Sequence, residues 1–170
     1  MVAMRTAQLC ESGATVRTRR IAEGLAARGH DVTVLCARWW DGDFASFEQA
    51  GVTYRAVVGS LAAGTFTARL PAALARVRPD VVHAVVSPPA AVRTAAATAA
   101  ALRAPLVVDW WTAHGADAEA GVGRAARAAD LVTVPSRLVA TRVREYGAPA
   151  EAVEVVPESI DVDLVRSARV

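Results

Sequence analysis

The 170-residue chain contains no lysine and no asparagine, so all 19 of its basic side chains are arginine. With 17 acidic residues its formal charge is only +2, too near neutrality for an overall nucleic-acid footprint. An Ala-, Arg- and Val-rich composition without Lys or Asn fits a GC-rich coding bias better than selection for phosphate recognition. There are two cysteines, Cys10 and Cys36, both in apolar segments and without CxxC or Cys/His ligand spacing. That pattern points to buried, reduced thiols in a reducing cytoplasm rather than to a disulfide framework. No apolar run reaches the ~20 residues of a membrane span, because Arg93, Arg103 and Pro105 interrupt the Ala-rich stretch around residues 90 to 108. No apolar signal core precedes the first strand-like segment, and Met4 is an alternative initiator. Metal-ligand spacing, a nucleophile elbow, a Walker loop and GxGxxG are all missing, as are internal repeats and low-complexity linkers.

What remains is a 54% hydrophobic chain long enough for one domain, burying about 70% of its unfolded surface. Short apolar segments alternate with helical patterns. Strands are expected at Thr6 to Cys10, Asp31 to Cys36, Thr53 to Val58, Val81 to Val86, Leu106 to Asp109, Leu131 to Val134 and residues 153 to 156. Between them Ile21, Ala22, Leu25 and Ala26 fall at helical spacing before Gly29, and Phe66, Leu70, Leu74 and Val77 share a face, with Pro71 blurring that helix's start. Ser87 is expected to cap a helix running through Leu102, a short helix covers Ala118 to Ala128, and Ser136 caps a helix that Gly147 ends. Strands apolar on both faces, alternating with helices, predict an α/β domain. It is a doubly wound, mostly parallel, Rossmann-like sheet of about seven strands with helices on both faces.

In such sheets ligands lie outside the carboxyl ends of the strands. The loop Gly13, Ala14, Thr15, Arg17 runs into a helix N-terminus, where phosphate contact and simple turn geometry are equally good readings. Arg17, Arg19 and Arg20 read as a solvated basic face, with an anionic substrate or lipid surface as the sharper alternative. The densest chemistry follows the fifth strand: Asp109, Trp110, Trp111, Thr112 and His114, with indoles able to stack a sugar or base and an imidazole able to exchange a proton. The bland alternative is that Asp109 caps a turn and the indoles pack over the sheet. His83 reads as a satisfied core histidine, and His30 carries no signal. Trp39, Trp40, Phe44 and Phe47 form an aromatic group suited to covering the sheet edge, or to receiving an apolar acceptor or a membrane surface.

The series LAARGHDVTVL from Leu25, RVRPDVVHA from Arg76, APLVVD from Ala104, AADLVTVPS from Ala128 and EVVPESIDVDLV from Glu154 resembles, in order and spacing, the amino-terminal domain of glycosyltransferase family 4. The resemblance implies one half of a GT-B fold. Residues 1–156 form the Rossmann-like acceptor-side domain, and residues 157–170, beginning Pro157-Glu158-Ser159-Ile160-Asp161, start the crossover to a carboxyl-terminal donor-binding half in cis or on a separate chain. It implies transfer of a sugar from a nucleotide-sugar donor to a small-molecule or lipid-linked acceptor, with retention, without metal or resident cofactor and without nucleic acid. The setting would be cytoplasmic, with peripheral contact at the inner membrane face as an open alternative. Gly13, Ala14, Thr15 and Arg17 would approach the donor, and Asp109, Trp110, Trp111 and Thr112 would line the site. Where many members carry a histidine after the fifth strand this chain has Trp111, leaving His114 as the candidate catalytic group; Val85 replaces the second histidine of the DVVHxH run. Two other readings stay open: a non-catalytic binding module that keeps the fold, and half of a sugar-nucleotide epimerase.

Overall fold

The computed structural model describes residues 1–86, 88–111, 122–160 and 166. Its strands are β1 (Val32–Ala37), β2 (Ser46–Gln49), β3 (Val52–Val58), β4 (Val82–Val85), β5 (Leu106–Asp109), β6 (Leu131–Val134) and β7 (Val153–Val155). The helices are α1 (Gly13–Ala26), α2 (Ala63–Val77), α3 (Pro89–Leu102), α4 (Val122–Ala128) and α5 (Arg137–Glu145). β1 pairs in parallel with β3, and β4, β5, β6 and β7 follow one another in parallel.

The two sets of strands are joined by the amino terminus. Val2 bridges in parallel to Leu35 on one side and Ala84 on the other, its amide donating to the His83 carbonyl at 2.7 Å and its carbonyl accepting from Val85 at 3.0 Å. The sheet therefore reads β2-β3-β1-Val2-β4-β5-β6-β7, a doubly wound order with its reversal beside Val2. This corrects the expected first strand. Residues 6 to 10 form a turn closed by the Leu9 and Cys10 amides on the Thr6 carbonyl, and the buried run Val2, Ala3, Met4 lies in the sheet instead. β2 was not anticipated: its four residues are all exposed, so it carries no burial pattern. It pairs antiparallel with β3 across a two-residue turn at Ala50 (φ 51°) and Gly51 (φ 73°), the left-handed pair that a tight hairpin requires.

The helices divide unequally between the faces. Phe66, Leu70 and Leu74 of α2, Val92, Ala95 and Ala99 of α3, Ala126 of α4 and Val139 and Val143 of α5 bury against Leu35, Ala84, Val108 and Val132. On the opposite face α1 places Ala22 against Val32, Val34 and Cys36. Pro71 lies well inside α2 and does not delay its start, because the helix begins at Ala63. Ser136 caps α5, its Oγ accepting from the Val139 amide at 3.4 Å, and Gly147 follows at φ 95°. Ser87 and residues 118 to 121, expected to start α3 and α4, lie outside the described residues.

Candidate functional site at the carboxyl ends of the strands

After the turn at residues 6 to 10, Ser12 opens α1 with a reciprocal cap. Its Oγ accepts from the Thr15 amide at 3.3 Å while Thr15 Oγ1 accepts from the Ser12 amide at 2.9 Å. Thr15 Oγ1 also lies 2.7 Å from the Cys10 carbonyl, so this buried hydroxyl is spent on the cap. Gly13 is exposed and Ala14 partly so. The indole of Trp111 lies across Gly13: a Cβ on that residue would sit 2.6 Å from Trp111 Cζ2, closer than side chains tolerate. Trp111 is 37% exposed and its Nε1 donates to Glu158 Oε1 at 2.7 Å, tying the end of β5 to the segment that follows β7.

Four residues along α1, Arg17 is 3% exposed and faces Asp109, which is 1% exposed. Arg17 Nε donates to both Asp109 oxygens at 3.1 Å and Nη2 to Oδ1 at 3.0 Å, while Nη1 donates to the Val156 carbonyl at 2.6 Å. Thr133 Oγ1 donates to Asp109 Oδ1 at 2.6 Å from the neighbouring strand. Arg17 thus departs from the expected solvated basic face, since its guanidinium is engaged inside the protein; Arg19 stays at the surface in a 4.0 Å pair with Glu23. Asp109 serves this buried network and does not cap a turn.

Strand alternation separates the two indoles. Asp109 and Trp111 lie on the α1 side, whereas Trp110 is 1% exposed in the core beneath α5, stacked on Tyr146 at a centroid distance of 5.4 Å. It offers no face to a ligand. Thr112 and His114 lie outside the described residues. Of the expected site, then, Gly13 and Trp111 meet at one place, with Arg17 and Asp109 paired beside them. Glu158, Thr133 and the Val156 carbonyl join them without having been foreseen. The period-2 alternation of strand side chains was the signal that could have separated Trp110 from Trp111.

On the α1 side of the sheet a cavity of about 570 Å³, lined by Ile21, Leu25, Val81, His83 and Val107, reaches Thr133 and Val156 of the network just described. His83 Nε2 is buried and has no partner among the described residues, so the histidine is not satisfied as expected. Burial lowers its pKa to about 4, against a smaller opposing pull from Asp109. Cys36 is buried, which pushes its thiol up to about 12, whereas Cys10 is exposed, contrary to expectation. Trp39, Trp40, Phe47 and Tyr54 form a cluster of edge and stacked contacts against β3, with Trp40 Nε1 donating to the Phe44 carbonyl at 3.0 Å. Trp40 is buried with Val34, Tyr54 and Val85 on the α1 side of the sheet and Trp39 packs against them, rather than over the sheet edge, while the Phe44 ring remains 66% exposed. Among the described residues no helix is long and apolar enough to cross a membrane, and no group of three His, Cys, Asp or Glu side chains is placed to hold a metal ion.

The family model described as Glycosyltransferase Family 4 matches residues 12–164. Among solved structures the chain is similar to HepE of Anabaena in complex with UDP-glucose, with a TM-score of 0.66, 18% identity, and coverage of 96% of this chain and 44% of that one. HepE in complex with UDP and glucose gives a TM-score of 0.62 at 17% identity, over 96% of this chain and 45% of that one. The chain thus spans less than half the length of these structural relatives. A search of curated proteins returned no match.

Proposed function

The chain belongs to glycosyltransferase family 4, and from that premise we propose that it is the acceptor-side half of an enzyme that moves a sugar, with retention, from a nucleotide-sugar donor to an acceptor. The observation that carries the reading is the meeting of Gly13 and Trp111 at the carboxyl ends of the strands, next to the segment that leaves β7. This is where a doubly wound sheet binds its ligand, and the exposed start of α1 supplies amides suited to an anion. The UDP-glucose and UDP complexes of HepE support a uridine diphosphate sugar as the donor. Trp111 offers an aromatic face to a sugar ring, and His114 is the candidate proton-transfer group. The acceptor is a small or lipid-linked molecule, for which exposed Phe44 is an apolar contact point. In this reading residues 1–156 form the acceptor domain, residues 157–170 begin the bridge to the donor-binding half, and the donor is a substrate beside which no resident cofactor is needed.

Charge stabilisation of the departing nucleotide is commonly the largest catalytic contribution, and the donor-binding half would supply it. The 170 residues alone should therefore show no sugar transfer from UDP-glucose. Adding a donor-binding half, in cis or in trans, should restore it. Sustained turnover by the isolated chain would contradict the proposal, and a complemented pair that binds the donor without transfer would favour a non-catalytic binding module.

A further inference from the structure

We propose that Arg17 is a positioning residue that sets the path by which the chain leaves the sheet, and through it the seating of Trp111 and Glu158 over Gly13. The inference rests on reading the residues after 156 as the bridge to a second half. Arg17 joins three parts of the fold at once: its own helix α1, the end of β5 through Asp109, and the exit from β7 through the Val156 carbonyl. Val156 is held on both sides, because its amide donates to the Val134 carbonyl at 2.8 Å while its own carbonyl accepts from Arg17. The next residue, Pro157, has no amide hydrogen to continue the ladder. From Val156 to Ile160 every residue is exposed, and the hydrogen bonds that hold this stretch among the described residues are those of Val156 and the Trp111–Glu158 bond.

Stability alone does not account for such a pair. Two fully desolvated charges are commonly no better than an apolar pair of similar volume. A guanidinium supplies direction as well: its rigid fork meets Asp109 along the Nε–Nη2 edge while Nη1 points to the carbonyl. Thr133 fixes the carboxylate from the side. A lysine ammonium could reach Asp109 but could not hold both partners with that geometry. The same arginine therefore fixes where the exit segment starts, and the exposed Trp111–Glu158 bond then carries that register to the surface of Gly13.

The test is 15N relaxation on the 170-residue chain, read at the Glu158, Ser159 and Ile160 amides and at the Trp111 indole N–H. In the unmodified chain the Glu158 order parameter should be near the rigid value of about 0.85, and in Arg17→Lys it should fall below about 0.6. Amides of β4, β5 and β6 should keep their values, and the Trp111 indole signal should move to where Glu158→Ala places it. Arg17→Met/Asp109→Leu, which removes both charges together, should loosen the segment in the same way and covers the case in which the lysine variant does not fold. A Glu158 already mobile in the unmodified chain, an exit segment still rigid in either variant, or an equal loss of order across β4 to β6 would each overturn the proposal. No donor enters this test, so its failure leaves the sugar-transfer reading standing, and failure of transfer leaves the role of Arg17 standing.

Discussion

On one face of the sheet α2 buries Phe66, Leu70 and Leu74, and among the described residues α3 to α5 bury Ala and Val side chains in the same core. On the other face α1 buries Thr15, Arg17, Thr18 and Ala22, three of them polar. The two faces solve the same problem by different means. The first removes apolar area from water, which stabilises in proportion to area and is indifferent to direction. The second relies on a cap and a charged network whose geometry is directional, and it leaves a cavity beside His83. The polar face is the one that meets the segment after β7 and carries Gly13, so precision is concentrated where the candidate site lies.

The largest expected effect breaks the apolar side. Phe66 is fully buried, and Phe66→Ala should cost about 4 kcal/mol in chemical denaturation while leaving the Trp111 indole environment unchanged. Next, Arg17→Met strands the Asp109 carboxylate and should cost about 3–4 kcal/mol, whereas adding Asp109→Leu should recover most of it. If the double variant is as unstable as the single one, the polar face contributes stability and not direction, and the contrast between the faces weakens.

The smallest effect concerns His83. Its folded pKa of about 4 lies below the unfolded value of about 6.5, so between those two values the unfolded chain binds the extra proton. Stability from this group is therefore fully present above pH 6.5, falls as pH drops, and levels off below pH 4, by about 3 kcal/mol in total. Unfolding free energies measured across pH 4 to 7 should show that slope, and His83→Gln should flatten it. A slope unchanged by the substitution would assign the titration elsewhere.

Much of this was legible in the sequence. The period of Phe66, Leu70 and Leu74, the apolar segments of β1 and β3 to β7, and the Ser136 cap are local patterns with local causes. β2 escaped because an exposed edge strand has no apolar alternation, and its register is set by the Ala50-Gly51 turn. The first strand was misplaced because Val2 enters the sheet through single bridges to two neighbours, a long-range choice that propensity does not encode. The same holds for Arg17 and Asp109, which stand 92 positions apart; each was singled out as a ligand contact, and only the fold places one against the other. Glu158 carried no signal of its own, since its role depends on where the end of β7 lies relative to Trp111.

The most direct measurement of the central claim is an NMR titration of UDP-glucose into this domain joined to a donor-binding half. The Gly13 and Ala14 amides and the Trp111 indole N–H would be followed against Ile21, Leu25 and His83. The account predicts saturable shifts at Gly13, Ala14 and Trp111, with Ile21, Leu25 and His83 of the cavity unmoved. Saturable shifts around that cavity, with Gly13 and Trp111 silent, would contradict it.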